Sequence, residues 1–353
     1  MSSSIKVLPA KHGDCFLVSS EHEGKKFNLL IDGGPSSTFS SAAAGASAGP
    51  LKKILTEIIK NNEVIDLAIL THIDSDHIGG FLKAFQSKTH LPALTKKIWF
   101  NASSAITTFF GTPEIQENTI RCRHEDDPNT SAKQAQTLES YLAKLGIWNQ
   151  CIIIAKKEPY LEGPFKITVL SPTPTELKNL LCIWPLEENS PKTTNAPRDH
   201  DRTIEELYED TNHTDDTAIA NGSSIAFILE SKGKKVLFLG DAFTTTIIDN
   251  LKKIGYCKEN QLKIEHTKIS HHGSRNNTSL ELLEILNCRS FIISTNGSIH
   301  RHPDKAVIAK ILKHNSMNVI HYNYESAVQT ILSDEEKKQY GHRLKFITND
   351  LAF

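Results

Sequence analysis

Ten residues, Thr71-His-Ile-Asp-Ser-Asp-His-Ile-Gly-Gly80, constrain this chain more than any other stretch. They place two histidines and two aspartates within six positions, directly after the apolar run Leu67-Ala-Ile-Leu70 and directly before two glycines. The run reads as a short strand of the buried kind, and the residues from Gly79 onward read as the start of a helix. A helix would fan the four polar side chains around its axis. A loop leaving a strand end can instead point them into one pocket. The glycines would then allow close backbone approach and a sharp turn into the helix. Taken alone, the four residues would also suit a solvated loop or a calcium-type carboxylate turn.

The rest of the chain repeats this grammar of strands that end in Asp or His. Alternation predicts strands at 5–8, 14–19 and 27–32, the last two joined by the turn 21–26 and ending at Asp32-Gly33-Gly34. Helical spacing follows over 51–61 and 133–145, with strands at 98–100, 151–155 and 165–170. The second half restarts with a hairpin over 224–241 that ends in Gly240-Asp241, then a helix over 243–254. A strand over 264–270 runs into His271-His-Gly-Ser274. Helices over 280–286 and 305–313, and strands over 290–294, 318–322 and 327–332, complete the chain. Each half places strands before helices. That pattern predicts an α/β fold: an αββα sandwich of two facing mixed sheets with helices outside. No linker divides the halves, so residues 1–353 read as a single domain. The polar, proline-punctuated segment 172–217, with one short helix near 176–181, reads as an insertion or lid.

Composition narrows the partners. Forty Lys+Arg against 41 Asp+Glu leave a net charge of −1, which excludes a global basic field. A nucleic-acid substrate would need a local groove. The six cysteines are scattered without a CxxC pair, which predicts reduced thiols. The N-terminus lacks the basic-then-apolar pattern of a signal peptide. No apolar run reaches the ~18 residues of a membrane span, so the expectation is a cytoplasmic protein.

Imidazole nitrogen and carboxylate oxygen are ligands that Zn²⁺, Mn²⁺ and Fe²⁺ accept. Four on one loop exceed what a single catalytic ion needs, because it must keep an open position. Two adjacent ions would divide them. A bridging carboxylate must then come from elsewhere, and Asp241 at a strand end is the natural donor; His271-His272 at another strand end can complete the second site. Metals ~3.5–4 Å apart activate a shared hydroxide and clamp the substrate oxygen in hydrolysis.

These motifs carry a resemblance. With His12-Gly-Asp-Cys-Phe-Leu-Val18, Leu29-Leu-Ile-Asp-Gly-Gly34, Asn221-Gly-Ser-Ser-Ile-Ala226 and His302-Pro303 added, the sequence resembles the metallo-β-lactamase superfamily of binuclear metallohydrolases. More narrowly, it resembles the branch typified by the hydrolase domain of bacterial competence (DNA-uptake) channel proteins and by phosphorylcholine esterases. Residues 35–50, 102–132 and 172–217 fall outside it. The resemblance implies two divalent ions, Zn²⁺ or Mn²⁺. His72 and Asp74 would hold the first, Asp76, His77 and His272 the second, and Asp241 would bridge. Asp76, His271 and His302 are implied as catalytic residues, His271 as phosphate contact or proton donor and His302 against the scissile phosphate. Asn221, Ser274, Arg275 and His300 are implied to bind substrate. Two departures stand out. The superfamily's commonest motif has His where this chain has Asp74, and a histidine midway where this chain has Asn221. The first ion keeps His72, Asp74, Asp241 and Asn221 or water, with His200 and His213 as further nitrogen donors. Trading nitrogen for hard oxygen tilts the site towards Mn²⁺.

The implied reaction is phosphodiester hydrolysis of DNA or RNA, or of a small phosphodiester, by a metal-bridged hydroxide. Lys268, Arg275, Arg301, Asn276 and Asn277 lie close in sequence and would help hold phosphate. Phe109-Phe110 and Arg121-Cys-Arg-His124 form a thin version of a strand-binding track, while the acidic segment 205–210 would repel a long polyanion. Two alternatives stand beside this. One is acyl, lactone or thioester hydrolysis, against which Asp74 argues. The other is a regulatory or effector module that works with a protein partner docked on 172–217.

Overall fold

The computed structural model describes residues 3–40, 47–111, 131–183, 199–210, 212, 214–299, 301–328 and 330–353. Its strands are β1 (Ser4–Val7), β2 (Phe16–His22), β3 (Lys25–Ile31), β4 (Leu67–Ile69), β5 (Ile98–Trp99), β6 (Tyr160–Glu162), β7 (Phe165–Ser171) and β8 (Ala226–Ser231). They continue as β9 (Lys234–Phe238), β10 (Leu262–Lys263), β11 (His266–Lys268), β12 (Leu286–Asn287), β13 (Ser290–Ile293), β14 (Val319–Tyr322), β15 (Leu344–Phe346) and β16 (Leu351–Ala352). Besides the short parallel pair β10-β12, there are two large sheets, one of order β16-β1-β2-β3-β4-β5 and the other β15-β14-β13-β11-β9-β8-β7-β6. Both are mixed. In the first, β3, β4 and β5 are parallel while β16, β1, β2 and β3 are antiparallel. In the second, β9, β11, β13, β14 and β15 run parallel and β6 to β9 run antiparallel.

Strand alternation decides the layers. Ile5, Val7, Phe16, Val18, Leu29, Ile31, Leu67 and Ile69 point from the first sheet into an inner core. Phe165, Ile167, Val169, Phe227, Leu229, Val236 and Phe238 meet them from the second. The alternate residues Leu17, Leu30 and Ala68 pack outward against the helices Pro50–Lys60 and Ser75–Gln86. The first of these helices supplies Leu51, Ile54, Leu55 and Ile58, an i, i+3, i+4, i+7 stripe. On the far side, Ala226, Ile228, Leu237 and Phe291 pack against Thr244–Lys253, Leu280–Ile285 and Lys305–His314. The result is the four-layer αββα sandwich that the sequence pattern predicts.

Three local expectations are corrected. The helix after β4 starts at Ser75, with Asp74 at its N-cap position, not at Gly79. Residues 151–155 form no strand; Asn101 takes the backbone groups of Ile153, accepting from its N–H (2.8 Å) and donating to its carbonyl (2.8 Å), and Ala155 N donates to Pro172 O (2.8 Å). Residues 327–332 are not a strand either. Glu325–Val328 is a helical turn, and the buried Ala327, Val328, Ile331 and Leu332 fall at helical spacing, not on alternate positions. Within 172–217, Leu177 and Leu180 of the helix Pro174–Ile183 pack into the outer core of the first sheet. Ile204 and Leu207 of Ile204–Glu209 pack into that of the second. Cys15, Cys151, Cys257 and Cys288 are free thiols; the side chains of Cys122 and Cys182 lie outside the described residues. Among the described residues, no helix is long and apolar enough to cross a membrane.

Candidate metal centre

The loops that leave β4, β9, β11 and β13 all start from the C-terminal ends of parallel strands, where α/β sheets place their ligands. The first loop is templated by Asp32, just past β3. Its carboxylate accepts from Thr71 N (2.7 Å) and Thr71 Oγ1 (2.7 Å), and its Oδ2 lies 2.8 Å from His77 Nδ1. Because Thr71 Oγ1 spends its proton on Asp32, it accepts from His72 Nδ1 at 3.1 Å. Asp76 and His77 sit in the first helical turn, and His72 and Asp74 in the loop before it. The two glycines are therefore not a turn. They lie inside the helix and let it touch other backbone: a Cβ on Gly80 would sit 2.0 Å from Gly33 O. Gly13 plays the same part on the opposite side, where a Cβ would sit 1.9 Å from Asp76 O.

Asp241 follows β9, its N–H donating to Ser224 Oγ (3.1 Å). His271 and His272 follow β11 in left-handed backbone, with φ of 46° and 53°. His272 Nδ1 donates to Ser294 O (2.9 Å), and Asp14 Oδ1 stands 3.4 Å from the same nitrogen. His271 Nδ1 faces Asn277 Oδ1 (3.1 Å) and Asp216 Oδ2 (3.3 Å). All four imidazoles thus commit Nδ1–H to an acceptor, which leaves the Nε2 lone pair for the site.

Those four nitrogens converge on one oxygen. Asp241 Oδ2 lies 3.7 Å from His72 Nε2, 3.5 Å from His77 Nε2, 3.7 Å from His272 Nε2 and 3.9 Å from His271 Nε2. Asp74 Oδ2 is 3.7 Å from His72 Nε2, and Asp76 Oδ2 is 3.2 Å from His272 Nε2 and 4.0 Å from His77 Nε2. The buried Nε2 atoms of His72, His77 and His272, and Asp241 Oδ1, have no hydrogen-bond partner among the described residues. Such orphaned groups are costly unless a ligand satisfies them. The trios His72/His77/Asp241 and Asp76/His77/His272 each gather their donor atoms within 4.8 Å of one another. A third trio, Asp14/Asp32/His77, is largely taken up from within, Asp14 Oδ2 by Lys268 and Asp32 by Thr71, while the buried Asp14 Oδ1 has no hydrogen-bond partner among the described residues and stands 3.4 Å from His272 Nδ1.

Electrostatics agree. Burial opposes ionisation of Asp241, but His77, His272 and His271 outweigh it and hold the carboxyl well below its usual range. Burial likewise opposes charging of His272, yet Asp241, Asp14 and Asp76 push it up to about 10. Such a cluster holds protons that a divalent cation would displace. The donor set therefore fits divalent metal.

The remaining expected residues fall around this centre. His302 lies with its ring centroid 5.0 Å from that of His271 and its Nδ1 3.6 Å from Asp304 Oδ2. Asn221 donates to Asp216 Oδ2 at 2.7 Å, and its Oδ1 is buried without a hydrogen-bond partner among the described residues. Ser274 is buried, its Oγ accepting from Asn276 N at 3.3 Å. Arg275 is turned to Asp304, which accepts from its N–H at 2.8 Å. Arg275 and Asn276 line a cavity of about 190 Å³ with Arg202 and Lys310. His200 is not among the converging ligands; with Arg301 and His302 it lines a second cavity of about 180 Å³. Lys268, expected to help hold phosphate, is instead 1 % exposed and ion-paired with Asp14. Asn277 is also buried and donates to Asp216 and to the Asp241 carbonyl. His300, His213 and Arg121-Cys-Arg-His124 lie outside the described residues. Sequence reasoning gave no role to Asp14, Asp32 and Asp216 as supports. Asp32 stands at a strand end before two glycines, a signal that was available; Asp216 has none.

Residues 8–109, which include Asp32 and the whole Thr71–Gly80 stretch, match the family model described as metallo-beta-lactamase superfamily. No curated protein matches the chain. Among solved structures, a mutant of CmlA beta-hydroxylase matches at 13 % identity and a TM-score of 0.41, over 100 % of this chain and 54 % of that one. The metallo-beta-lactamase fold protein YhfI from Bacillus subtilis matches at 11 % and 0.42, over 91 % and 97 %. Unliganded yeast PDE1 matches at 9 % and 0.39, over 100 % and 99 %. The chain thus spans about half the length of the first and nearly all of the other two. The match over residues 8–109 and the two facing mixed sheets give the chain the metallo-β-lactamase sandwich fold.

Proposed function

We propose that this chain is a metal-dependent hydrolase of phosphodiester bonds, in DNA, RNA or a small ester. The observation that carries the reading is the convergence of four imidazole Nε2 atoms on Asp241 Oδ2, flanked by Asp74 and Asp76. His72, Asp74 and Asp241 would hold one ion, and Asp76, His77, His272 and Asp241 the other. When bound, two such ions supply Lewis-acid activation of water and of the scissile oxygen.

The chain's own residues do the rest. Asp32, Thr71 and Ser294 fix the imidazole tautomers, so no donor reorganises during turnover. Asp76 joins the ligands from the helix N-terminus, where its charge is favoured. His302, beside His271 and braced by Asp304, is the side chain assigned to the scissile phosphate. Arg275 and Lys310 line one of the two cavities and Arg301 the other, which puts cationic side chains on both. Three carboxylates and these flanking cations favour phosphorus over an acyl carbon. So does the motif resemblance to competence-channel hydrolase domains and phosphorylcholine esterases.

The test pairs metal analysis with hydrolysis. Wild type and the double variant Asp76→Ala/His77→Ala are purified without chelator and assayed on bis(p-nitrophenyl) phosphate, labelled single- and double-stranded DNA, and RNA. About two ions per chain in wild type, with cleavage lost in the variant, supports the reading. Metal without turnover on any phosphodiester refutes it.

A further inference from the structure

On the binuclear reading, the two ions are unequally provided for. Asp76, His77, His272 and the shared Asp241 suffice for one. The other is left with His72, Asp74 and Asp241. Asn221 donates its amide to Asp216 Oδ2 (2.7 Å), with Nδ2 3.4 Å from His271 Nδ1, so it can offer only its carbonyl oxygen Oδ1, which has no hydrogen-bond partner among the described residues, and no nitrogen.

We propose that His271 supplies the missing nitrogen, so that both histidines of His271-His272 are ligands, one to each ion. Asp216 is then the carboxylate that positions His271. The proposal rests on the binuclear reading and replaces the expected role of His271 towards substrate.

Three independent features carry it. The first is position: His271 Nε2 stands 3.9 Å from Asp241 Oδ2, beside 3.5–3.7 Å for the other three imidazoles.

The second is the tautomer. His271 Nδ1 faces the acceptors Asn277 Oδ1 and Asp216 Oδ2, as His77 Nδ1 faces Asp32. A neutral imidazole whose one hydrogen is committed there offers a lone pair at Nε2, which is what a metal takes. A donor to substrate would need that hydrogen at Nε2.

The third is the backbone. Neighbouring side chains on a strand point to opposite faces, so two adjacent histidines in extended chain could not both reach Asp241. Here both residues are left-handed, at φ 46°, ψ 52° and φ 53°, ψ 18°. L-residues avoid that region, and it persists where the surroundings impose it, often at functional sites. His271 N donates to Gly240 O (3.0 Å), which ties the turn to the residue before Asp241. The unusual backbone is what brings both rings to one oxygen.

The experiment uses the metal itself as probe. Wild type, His271→Ala and Asp216→Asn are purified without chelator and dialysed against metal-free buffer. Bound metal is counted, and the Co²⁺-substituted proteins are compared by visible absorption. The expected result is about two ions in wild type and about one in His271→Ala, with one set of Co²⁺ bands lost. Asp216→Asn, which keeps the side-chain shape and serves also where His271→Ala fails to fold, should weaken one site by roughly 10–100-fold. Two ions and an unchanged Co²⁺ spectrum in His271→Ala, or unchanged affinity in Asp216→Asn, overturn the proposal alone. Fewer than two ions in wild type overturn the binuclear reading and this proposal with it.

Discussion

Replacing Lys268 with methionine should destabilise the protein far more than its distance from any substrate suggests. The side chain is 1 % exposed at the end of β11 and is ion-paired with Asp14, which is equally buried. Lys268 Nζ also donates to Gly240 O at 3.3 Å, beside Asp241. Burial by itself would push the Asp14 carboxyl up; Lys268 and His272 outweigh it and hold it below its usual value. Lys268→Met removes the main counter-charge and leaves the carboxylate enclosed. Breaking one side of a buried pair costs about 3–5 kcal/mol. In a chain of this length each kcal/mol moves Tm by roughly 2 °C, so Tm should fall by roughly 6–10 °C. The assay is thermal and urea unfolding of Lys268→Met, Asp14→Asn and the double variant. Removing both charges should cost less than the sum, with a coupling of roughly 2 kcal/mol. Asp14→Asn should also weaken metal binding by ~10–100-fold, since Asp14 stands behind His272 Nδ1. A loss under about 1 kcal/mol for Lys268→Met, or strict additivity, would refute the claim that Lys268 is the counter-charge that stabilises the buried Asp14 carboxylate.

Gly80→Ala should lower stability by about 1–3 kcal/mol, since its Cβ would meet Gly33 O and force the helix off the first sheet; urea unfolding checks it. Asp32→Asn replaces an acceptor shared by Thr71 and His77 with a group that also donates. Competition with a chromophoric chelator should then show ~10–100-fold weaker metal binding, and equal affinity would exclude the bracing role. His321 lies away from the metal loops, and burial, with His266 and Lys345 nearby, lowers it from 6.5 to about 4. The unfolded chain therefore binds a proton there between pH 6.5 and 4 that the folded chain does not, and stability is lost as pH falls through that window. His321→Gln should flatten this slope in urea titrations, and an unchanged slope would assign it to other groups.

Legibility from sequence followed the range of the interactions involved. The β2–β3 and β8–β9 hairpins were readable because alternation and the glycine turns at Gly24 and Gly233 act over a few residues. The segment 151–155 misled because an apolar run has the same letters whether a ladder takes its backbone groups or, as here, the Asn101 side chain and the Pro172 carbonyl do. The segment 327–332 misled because its apolar pairs were read as a strand although their spacing suits a helical turn. Lys268 beside the histidine motif looked like help for phosphate, since a lysine's burial is not written in its neighbours.

The sequence by itself determined the layered fold and the donor inventory. Strand periodicity is local, and a histidine or aspartate at a strand end carries its chemistry wherever it lands. Tertiary structure alone decided which donors meet, which nitrogen of each ring faces inward, and what stands behind it. Those choices belong to partners far apart in the chain: Asp32 and His77 are 45 positions apart, and Asn221 and His271 are 50 apart. A carboxylate is the same letter whether water or a buried imidazole is its partner. Only the packing of the two sheets, which closes Asp14, Lys268 and Asp216 around the histidines, tells them apart.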